Sequence, residues 1–482
     1  MRRYEAVAGT VRRQIEAGTL KAGDRVPSIR EMKAQTGFST VTVQHGYALL
    51  ESAGEIRAQA RSGYFVAAAP QRPAEFPQEA EAAPRPGARP VNLDELAFRI
   101  ASAGQREGQE AFGAALPSRD LFDETGLHRQ LCRVLRRTAH RGVEPCPPDG
   151  DPLLREMIAR RAARRGVIVS PDAVLTTSSG LAGLNLCLDT LTAPGDVVLV
   201  ESPSFFPLLA ALHRRRLQAL EIYSHPRSGV DPDQFEHLLR RNAVRLCVMM
   251  PAHHSPTGVT YSEAAMRGIV AAAARHGVPI LECDVYGELG YGAEPAPSLK
   301  RYDTEETVVQ FGSFAGTLPA GYGLGWVLGV RHRRTLLEQQ FLNSLVTDDA
   351  ARQRAVADYI LQRQYERRLR RVQQALAARM QHGLSLIARH FPPSCAVSRP
   401  SGGFMCWIRG PREFDALAAS RQALRLGISL APGPIFSVTQ AFENFIGLNF
   451  SFPWDAAQEE KLRTVGRLLA GQGPAPPTAA SP

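Results

Sequence analysis

The residues with the most reactive side chains lie near two apolar, strand-like runs in the middle of the chain. "VPILECDVY" (278–286) contains Cys283, and "PAHHSPTG" (251–258) contains His253 and His254. A thiol and two imidazoles can bind zinc, but adjacent histidines on a turn point in different directions, and one added cysteine gives no recognised ligand spacing. We therefore predict no metal site.

A glycine-rich loop follows a third apolar run, in "FGSFAGTLPAGYGLGW" (311–326), and it contains no lysine. Lysine is rare throughout the chain. Of the 57 basic residues 53 are arginine, and the four lysines are Lys21, Lys33, Lys300 and Lys461. Any chemistry that requires a lysine amine therefore has only four candidate positions.

Short polar side chains are concentrated in the first 65 residues, at the start of predicted helices and in a turn. Such side chains suit contacts with base edges in the major groove, and arginines suit phosphates or the minor groove. The polar candidates are Ser28, Thr40, Thr42, Gln44, His45 and Ser62, the basic candidates are Arg30, Arg57 and Arg61, and Gly63 is a candidate through its place in the turn beside Ser62.

Three helices and a hairpin are predicted to position these side chains. Ser28 followed by Glu31 is a capping box, and Gly37 ends the same helix. The third helix buries one face, which turns the polar candidates of 40–45 outward. "EIRAQARSGYFVAA" (55–68) predicts two short strands joined by a turn, so the segment reads as a winged helix-turn-helix.

The rest of the chain predicts a second, larger domain. Apolar runs alternate with helical stretches after residue 92, which is typical of a mainly parallel sheet wrapped by helices. We predict a multidomain chain: a winged helix-turn-helix (1–67, α+β), a linker rich in Pro and Ala (68–91), a large α/β domain (92–475) and a disordered tail (476–482).

Composition limits the class of protein. The 44% hydrophobic and 22% charged residues are typical of a globular protein, and no apolar run approaches the roughly 20 residues that span a bilayer. The N-terminus lacks the apolar core of a signal peptide, and the seven cysteines form no Cys-x-x-Cys pair. We expect a cytoplasmic protein without membrane contact, and the net charge of +10 weakly favours a polyanionic partner.

Residues 1–67 resemble the DNA-binding domain of the GntR superfamily. The match rests on "RVPSIRE" (25–31), "STVTVQHGYALLES" (39–52) and the wing "RSGYFV" (61–66). Many members carry Arg where this chain has Thr40, so the base preference is expected to differ. The resemblance implies a double-stranded DNA operator as partner, and protein docking is the alternative for such a unit.

The second domain resembles the fold-type-I, pyridoxal-phosphate-dependent aminotransferases, and the whole chain resembles the MocR subfamily of GntR regulators. Landmarks occur in the family order, among them "DGDPLLREMIARRAARRGV" (149–167), "PGDVVLVESPSFF" (194–206) and "ISLAPGPIFS" (428–437). The resemblance implies a homodimer, since these folds build their cleft at a subunit interface. A fold does not by itself imply the chemistry.

The resemblance assigns the cofactor contacts residue by residue, and most are missing. The lysine that forms the imine would stand at Gly316, and the aspartate that pairs with the ring nitrogen at Cys283. The asparagine that bonds the ring hydroxyl is replaced by Ser255, the phosphate-binding arginine by Gly323, and the arginine for the substrate carboxylate by Gly447.

Two of the expected contacts remain, namely Tyr286, the ring-hydroxyl tyrosine, and Phe205, where a stacking aromatic is expected. The phosphate-binding tyrosine contributed by the other subunit falls at Pro145. Each charge-assisted contact to an anion is worth about 1.5–3 kcal/mol, so losing several of them removes most of the affinity for pyridoxal phosphate.

These residues predict a DNA-binding regulator that is not an enzyme and has no covalently bound cofactor. Phe205, Ser255, Cys283, Tyr286, Gly316, Gly323 and Gly447 would line a roomier, more neutral pocket for an unknown small-molecule effector. A collapsed or empty cleft, in an architectural DNA-binding dimer, is one alternative. A pyridoxal-dependent regulator or enzyme that uses an unexpected lysine is the other, with Lys300 as the candidate lysine.

Overall fold

The computed structural model describes residues 3–52, 55–59, 62–66, 74–77, 87–91, 112–138, 146–292, 294–344 and 350–472. Arg61 and Pro145 lie outside the described residues. The chain divides into two compact units. The first contains Met1–Ala74, Ala378–Cys395 and Pro453–Pro482, and the second contains Glu75–Ala377 and Ala396–Phe452.

The first unit begins with three helices and a hairpin, as the sequence predicts. The helices are α1 (Arg3–Glu16), α2 (Ile29–Thr36) and α3 (Thr40–Ser52), and the strands are β1 (Ile56–Gln59) and β2 (Gly63–Val66). The two strands pair antiparallel. Their common core consists of Val7, Val11, Met32, Val43, Tyr47, Leu50, Ile56 and Val66.

Local sequence signals explain how these helices end and pack. The Ser28 amide donates to Glu31 Oε2 over 2.6 Å and the Glu31 amide donates to Ser28 Oγ over 3.3 Å, which is the predicted capping box. Gly37 ends α2 with a φ of +69°, a conformation that favours glycine. Gly46 lets α3 pack closely on α1, because a Cβ there would lie 2.8 Å from Val7 Cβ.

The second unit is built on a nine-stranded sheet in the order β4-β7-β6-β9-β10-β11-β12-β5, with β8 paired to β7. Neighbours from β7 through β11 run parallel, and β12 is antiparallel to both β11 and β5. The strands are β4 (Arg89–Pro90), β5 (Val174–Thr177), β6 (Val197–Ser202), β7 (Gln218–His225), β8 (Gly229–Val230), β9 (Val244–Met249), β10 (Ile280–Asp284), β11 (Val308–Ser313) and β12 (Gly325–Leu328).

Helices cover both faces of this sheet, and the strands are accordingly apolar on both sides. The described helices are α4 (Glu124–Thr138), α5 (Pro152–Arg164), α6 (Gly180–Leu191), α7 (Phe206–Arg214), α8 (Pro232–Arg241), α9 (Glu263–His276), α10 (Arg333–Ser344), α11 (Ala350–Leu361) and the N-terminal part of α12 (Arg363–His390).

A smaller sheet of five strands has the order β15-β16-β14-β13-β3. Its strands are β3 (Ala74–Glu75), β13 (Ala396–Val397), β14 (Met405–Arg409), β15 (Ala431–Pro432) and β16 (Phe445–Asn449), and α13 (Ala416–Arg425) packs beside β15. Trp407 on β14 is fully buried in a cluster of phenylalanines.

The C-terminal segments of the first unit pair the end of α12 with α14 (Ala456–Leu469). Gly466 permits this approach, because a Cβ there would lie 2.4 Å from the carbonyl oxygen of His390. Trp454 Nε1 donates to the carbonyl oxygen of Arg379 over 2.8 Å. None of the helices in the described ranges combines the length and apolar character needed to cross a bilayer.

Candidate functional site

The outward face of α3 carries most of the predicted base-reading residues. Thr40, Gln44 and His45 are exposed. Thr42 is half-buried, with its Oγ1 atom 2.9 Å from Ser39 Oγ, so its hydroxyl takes part in the helix cap. Sequence reasoning missed Val41, which is 60% exposed on the same face. The signal was its position next to Thr40 and one turn before Gln44 and His45, which were predicted to face outward.

Other predicted contacts surround this helix. Arg30 on α2 and Arg57 on β1 are exposed, as are Ser62 and Gly63 at the wing. Arg25 was missed. It pairs with Phe65 in an isolated β-bridge, and its Nε atom lies 3.4 Å from where a Gly63 Cβ would be. Its exposed guanidinium therefore adds positive charge beside the wing.

Two predicted residues have structural partners as well. Ser28 Oγ accepts the Glu31 amide, and the Ser28 amide that donates to Glu31 lowers the pKa of that carboxyl. The His45 ring stands edge-on to Tyr4 of α1, with the ring centroids 6.4 Å apart. Ser28 is thus held at the start of α2, and His45 at the border between α3 and α1.

The second candidate site lies where β10 and β11 end. Cys283 is opposite Phe311 in the sheet register, and Tyr286 follows three residues after Cys283, just beyond the end of β10. β11 leads into a 3₁₀ turn, Phe314–Gly316, which begins with Ser313 Oγ accepting the amide of Ala315. A Cβ at Gly316 would lie 3.7 Å from Tyr286 Cδ1, so the structure brings these positions together.

The smaller sheet contributes the remaining positions. A Cβ at Gly447 would lie 3.5 Å from Pro256 Cβ and 3.6 Å from Phe436 Cζ, so Gly447 faces the turn that contains Ser255. The amide of Ser204 donates to the carbonyl oxygen of Phe436 over 2.8 Å, which places Phe205 at the same end of the sheet.

The sequence predicts extra room at three glycines, and only at Gly447 would an added Cβ lie at ordinary contact distances, 3.5 Å from Met405 Cε and from Pro256 Cβ. A Cβ at Gly323 would lie 2.9 Å from Ala315 Cβ and 3.0 Å from Ala315 Cα, so the loop leaves no space for a side chain there. At Gly316 a Cβ would lie 3.1 Å from the carbonyl oxygen of Val285 and 3.2 Å from Leu289 Cδ1. Backbone and apolar side chains therefore close around both positions.

Cys283, Asp284 and Tyr286 are all buried at this edge of the sheet. Burial raises the pKa of Cys283 well above its usual range, so a neutral thiol stands at the position that the resemblance gives to the ring-nitrogen aspartate. Tyr286 Oη donates to the carbonyl oxygen of Ala115 over 3.2 Å, so its hydroxyl already has a partner within the chain. Asp284 forms a buried ion pair with Arg165.

Lys300 is held far from Gly316 along the strand. Its Nζ atom lies 2.8 Å from Asp303 Oδ2 and donates to the carbonyl oxygen of Val308 over 2.6 Å, at the first residue of β11. Gly316 follows the opposite end of β11, which spans about 17 Å at roughly 3.3 Å per residue. An amine fixed in this way does not reach the turn.

The two adjacent histidines are buried and bonded to their own turn. His253 Nδ1 lies 2.9 Å from Thr260 Oγ1, and burial lowers its pKa to about 3. His254 Nδ1 lies 2.9 Å from Thr257 Oγ1, and its Nε2 atom is 3.4 Å from Glu201 Oε2. Within the described ranges, no group of three or more His, Cys, Asp or Glu side chains is placed to bind a metal.

A buried charge network on the far side of the β10–β11 edge was not predicted. Arg161 on α5 pairs with Glu288 over 2.5 Å and with Glu366 over 2.7 Å, and it borders a cavity of about 30 Å³ together with Arg165 and Asp284. The run of arginines in 149–167 was the available signal, because buried guanidinium groups require partners.

Comparison with known proteins agrees with both parts of this structure. Residues 3–66 match the bacterial regulatory proteins of the gntR family, and residues 136–450 match aminotransferase class I and II. The chain is 34% identical to the uncharacterized HTH-type transcriptional regulator YdcR of Escherichia coli, over 97% of this chain and 99% of that protein. It is 28% identical to the HTH-type transcriptional regulator TauR of Rhodobacter capsulatus, over 94% of each.

A solved structure extends the similarity to enzymes. The alpha-aminoadipate aminotransferase LysN of Thermus thermophilus, in complex with N-(5'-phosphopyridoxyl)-L-leucine, superposes with a TM-score of 0.71 at 26% identity. The match covers 79% of this chain and 97% of that chain. The large unit therefore has the aminotransferase fold.

Proposed function

Since the chain belongs to the MocR-like regulators, which join a GntR-type DNA-binding domain to an aminotransferase class I and II domain, we propose a DNA-binding transcription regulator that works without pyridoxal phosphate. It acts in the cytoplasm as a homodimer on a double-stranded operator. Its aminotransferase-like domain senses a small effector of low charge and catalyses no reaction.

The observation that carries this proposal is Gly316, at the position that the resemblance gives to the imine-forming lysine. An imine requires an amine within bonding distance, and the ring must be held by charge partners. Burial keeps the thiol of Cys283 neutral, and the loop closes around Gly323. Three contacts that the resemblance assigns to the cofactor would therefore be missing, and this supports the proposal.

The character of the effector follows from the surrounding side chains. Gly447 is buried among the apolar side chains of Pro256, Met405 and Phe436, so no guanidinium group stands there to complement a carboxylate. Phe205 and Tyr286 supply aromatic surface. These groups favour an aromatic or weakly charged effector over an amino acid.

The decisive test is absorbance and borohydride trapping with added pyridoxal phosphate. We expect the wild-type protein to show no imine absorbance and no trapped product. Gly316→Lys should give at most weak imine formation, and Gly316→Lys with Cys283→Asp should do better, because the carboxylate restores the ring-nitrogen partner. Gly316→Ala is the matched control, since it adds the Cβ beside Val285 without an amine.

Strong imine formation by the wild-type protein would contradict pyridoxal independence and would favour a pyridoxal-dependent regulator or enzyme. The architectural alternative is tested separately by thermal shifts with a panel of neutral aromatic compounds. A ligand that binds the folded state raises its stability by mass action. No shift with any compound would favour a dimer that senses nothing.

A further inference from the structure

The stretch predicted to be an extended linker (68–91) contains a segment that packs in the second unit. β3 is the edge strand of the five-stranded sheet. Phe76 follows it and is only 4% exposed. Since the surrounding sequence is rich in Pro, Ala and Glu without apolar periodicity, one buried aromatic residue here indicates a specific attachment.

The Phe76 ring packs in an aromatic cluster of the second unit. It stacks on Phe445 with centroids 6.0 Å apart and ring planes 9° from parallel. Phe445 in turn stacks on Trp407 at 5.4 Å, and Trp407 meets Phe436 edge-on at 5.4 Å. Phe436 is the residue that faces Gly447 in the candidate effector site.

Polar contacts fix the backbone on both sides of this ring. Glu75 Oε1 lies 2.7 Å from Arg399 Nε, and Glu75 Oε2 lies 3.9 Å from a guanidinium nitrogen of Arg227. His225 Nε2 lies 2.8 Å from the carbonyl oxygen of Pro77. Side-chain packing, ion pairs and a backbone contact therefore hold the same short segment in one register.

We propose that residues 74–77 are an anchor that fastens the linker to the sheet and sets the length of the tether to the DNA-binding domain. β2 ends at Val66, so the anchor leaves residues 67–73 as the connection to the wing. A fully extended chain rises about 3.4 Å per residue, so the eight residue steps from Val66 to Ala74 span at most about 27 Å. Without the anchor, the first attachment in the described ranges would be β4, and the 23 residue steps from Val66 to Arg89 would span at most about 78 Å.

A short tether restricts where the two DNA-binding domains of a dimer can bind. This inference rests on the proposed function, in which the chain binds its operator as a homodimer. When a tether cannot span two sites, the effective concentration of the second domain falls towards zero. Half-sites lie on one face of the duplex when they are separated by multiples of about 10 base pairs. The anchor therefore selects operators by the spacing of their half-sites.

The test measures the affinity of the full chain for duplexes of changed spacing. The starting probe is the duplex that the wild-type chain selects from a random-sequence pool, and its half-sites are then moved apart by one helical turn. We expect the wild-type chain to lose at least tenfold in affinity and Phe76→Ala to lose less than threefold. Phe76→Leu, which keeps a buried apolar side chain, should stay close to wild type.

A double-mutant cycle tests the same anchor through different atoms. Glu75→Gln and Arg399→Gln should each broaden the spacing tolerance, and the double variant should broaden it less than the sum of the two single changes, because both remove the same ion pair. Hydrogen–deuterium exchange of the peptide that covers 74–77 measures whether this segment is packed on the sheet. It should be slow in the wild type and fast in Phe76→Ala.

The outcomes separate this inference from the proposed function. If the chain selects no duplex, both DNA binding and the role of the anchor in spacing are overturned. If it selects a duplex but wild type and Phe76→Ala have the same spacing profile, only the anchor proposal fails. Fast exchange at 74–77 in the wild-type protein would also overturn the anchor.

Discussion

Val41 leaves 60% of its surface exposed on the face of α3 that carries Thr40 and Gln44. An apolar side chain in the major groove can contact the C5-methyl group of thymine. We predict that Val41 reads such a methyl group. Replacing that thymine by uracil should weaken binding of the wild-type chain roughly fourfold, from about 0.8 kcal/mol per buried methyl group.

The Val41→Ala variant should bind the thymine and uracil duplexes with similar affinity. Gln44→Ala is the control, because it should weaken both complexes equally. A uracil effect that persists in Val41→Ala would assign the methyl contact to another residue.

Arg30 supplies a prediction about charge. It is exposed on α2 and is expected to contact a phosphate. Arg30→Ala should lower the slope of log K against log salt by about one, since each phosphate contact releases about one counterion. Arg334→Ala removes an exposed arginine of the other unit and should leave the slope unchanged. Equal slopes for Arg30→Ala and wild type would remove Arg30 from the interface.

Among the elements, the turn 251–260 makes stability depend on pH through His253. Burial, together with the nearby positive charge of Arg165, lowers the pKa of His253 to about 3. The unfolded chain binds a proton below about pH 6.5 that the folded chain does not, so stability falls as the pH drops from about 6.5 towards 3. The loss is about 1.4 kcal/mol per pH unit.

His253→Asn should reduce this slope, because asparagine does not titrate and accepts the φ of +51° at this position. Urea denaturation at about pH 6.5 and pH 5 measures the difference, which should reach about 2 kcal/mol. Asp284, whose pKa burial raises to about 7, acts in the opposite direction in both proteins, since its contribution falls as the pH rises. Identical slopes would mean that His253 is protonated in the folded state.

The elements also differ in how far the sequence predicts them. The capping box of Ser28 and Glu31, the wing and the alternating strands follow from local patterns, and the structure confirms them. The anchor at Phe76 does not follow, because its partners Phe445 and Arg399 lie more than 300 residues away in the sequence. The lack of space at Gly323 does not follow from local patterns either, because it depends on how the loop folds back onto Ala315.

At the scale of the whole molecule, the proposed homodimer should require apolar surface that the monomer leaves exposed. Phe341 and Leu342 are adjacent on α10, and they are 47% and 75% exposed. Burying such side chains against a second copy is favourable by about 1.5–3 kcal/mol each. We expect the wild-type chain to have twice its 52.5 kDa mass in solution, and Phe341→Ser with Leu342→Ser to shift it towards one chain.

Light scattering after gel filtration at micromolar concentration measures the mass. DNA titration measures how the loss of the dimer changes the affinity for a two-site duplex. Two linked DNA-binding domains gain avidity of about 10²–10⁴ over one, so the double variant should lose affinity for a two-site duplex and keep its affinity for a single half-site. Ile168→Ser, which removes an apolar side chain that is 81% exposed elsewhere, is the matched control and should leave both values unchanged. A double variant that keeps the dimer mass would exclude this part of α10 from the interface, and a monomeric wild-type chain would refute the dimer itself.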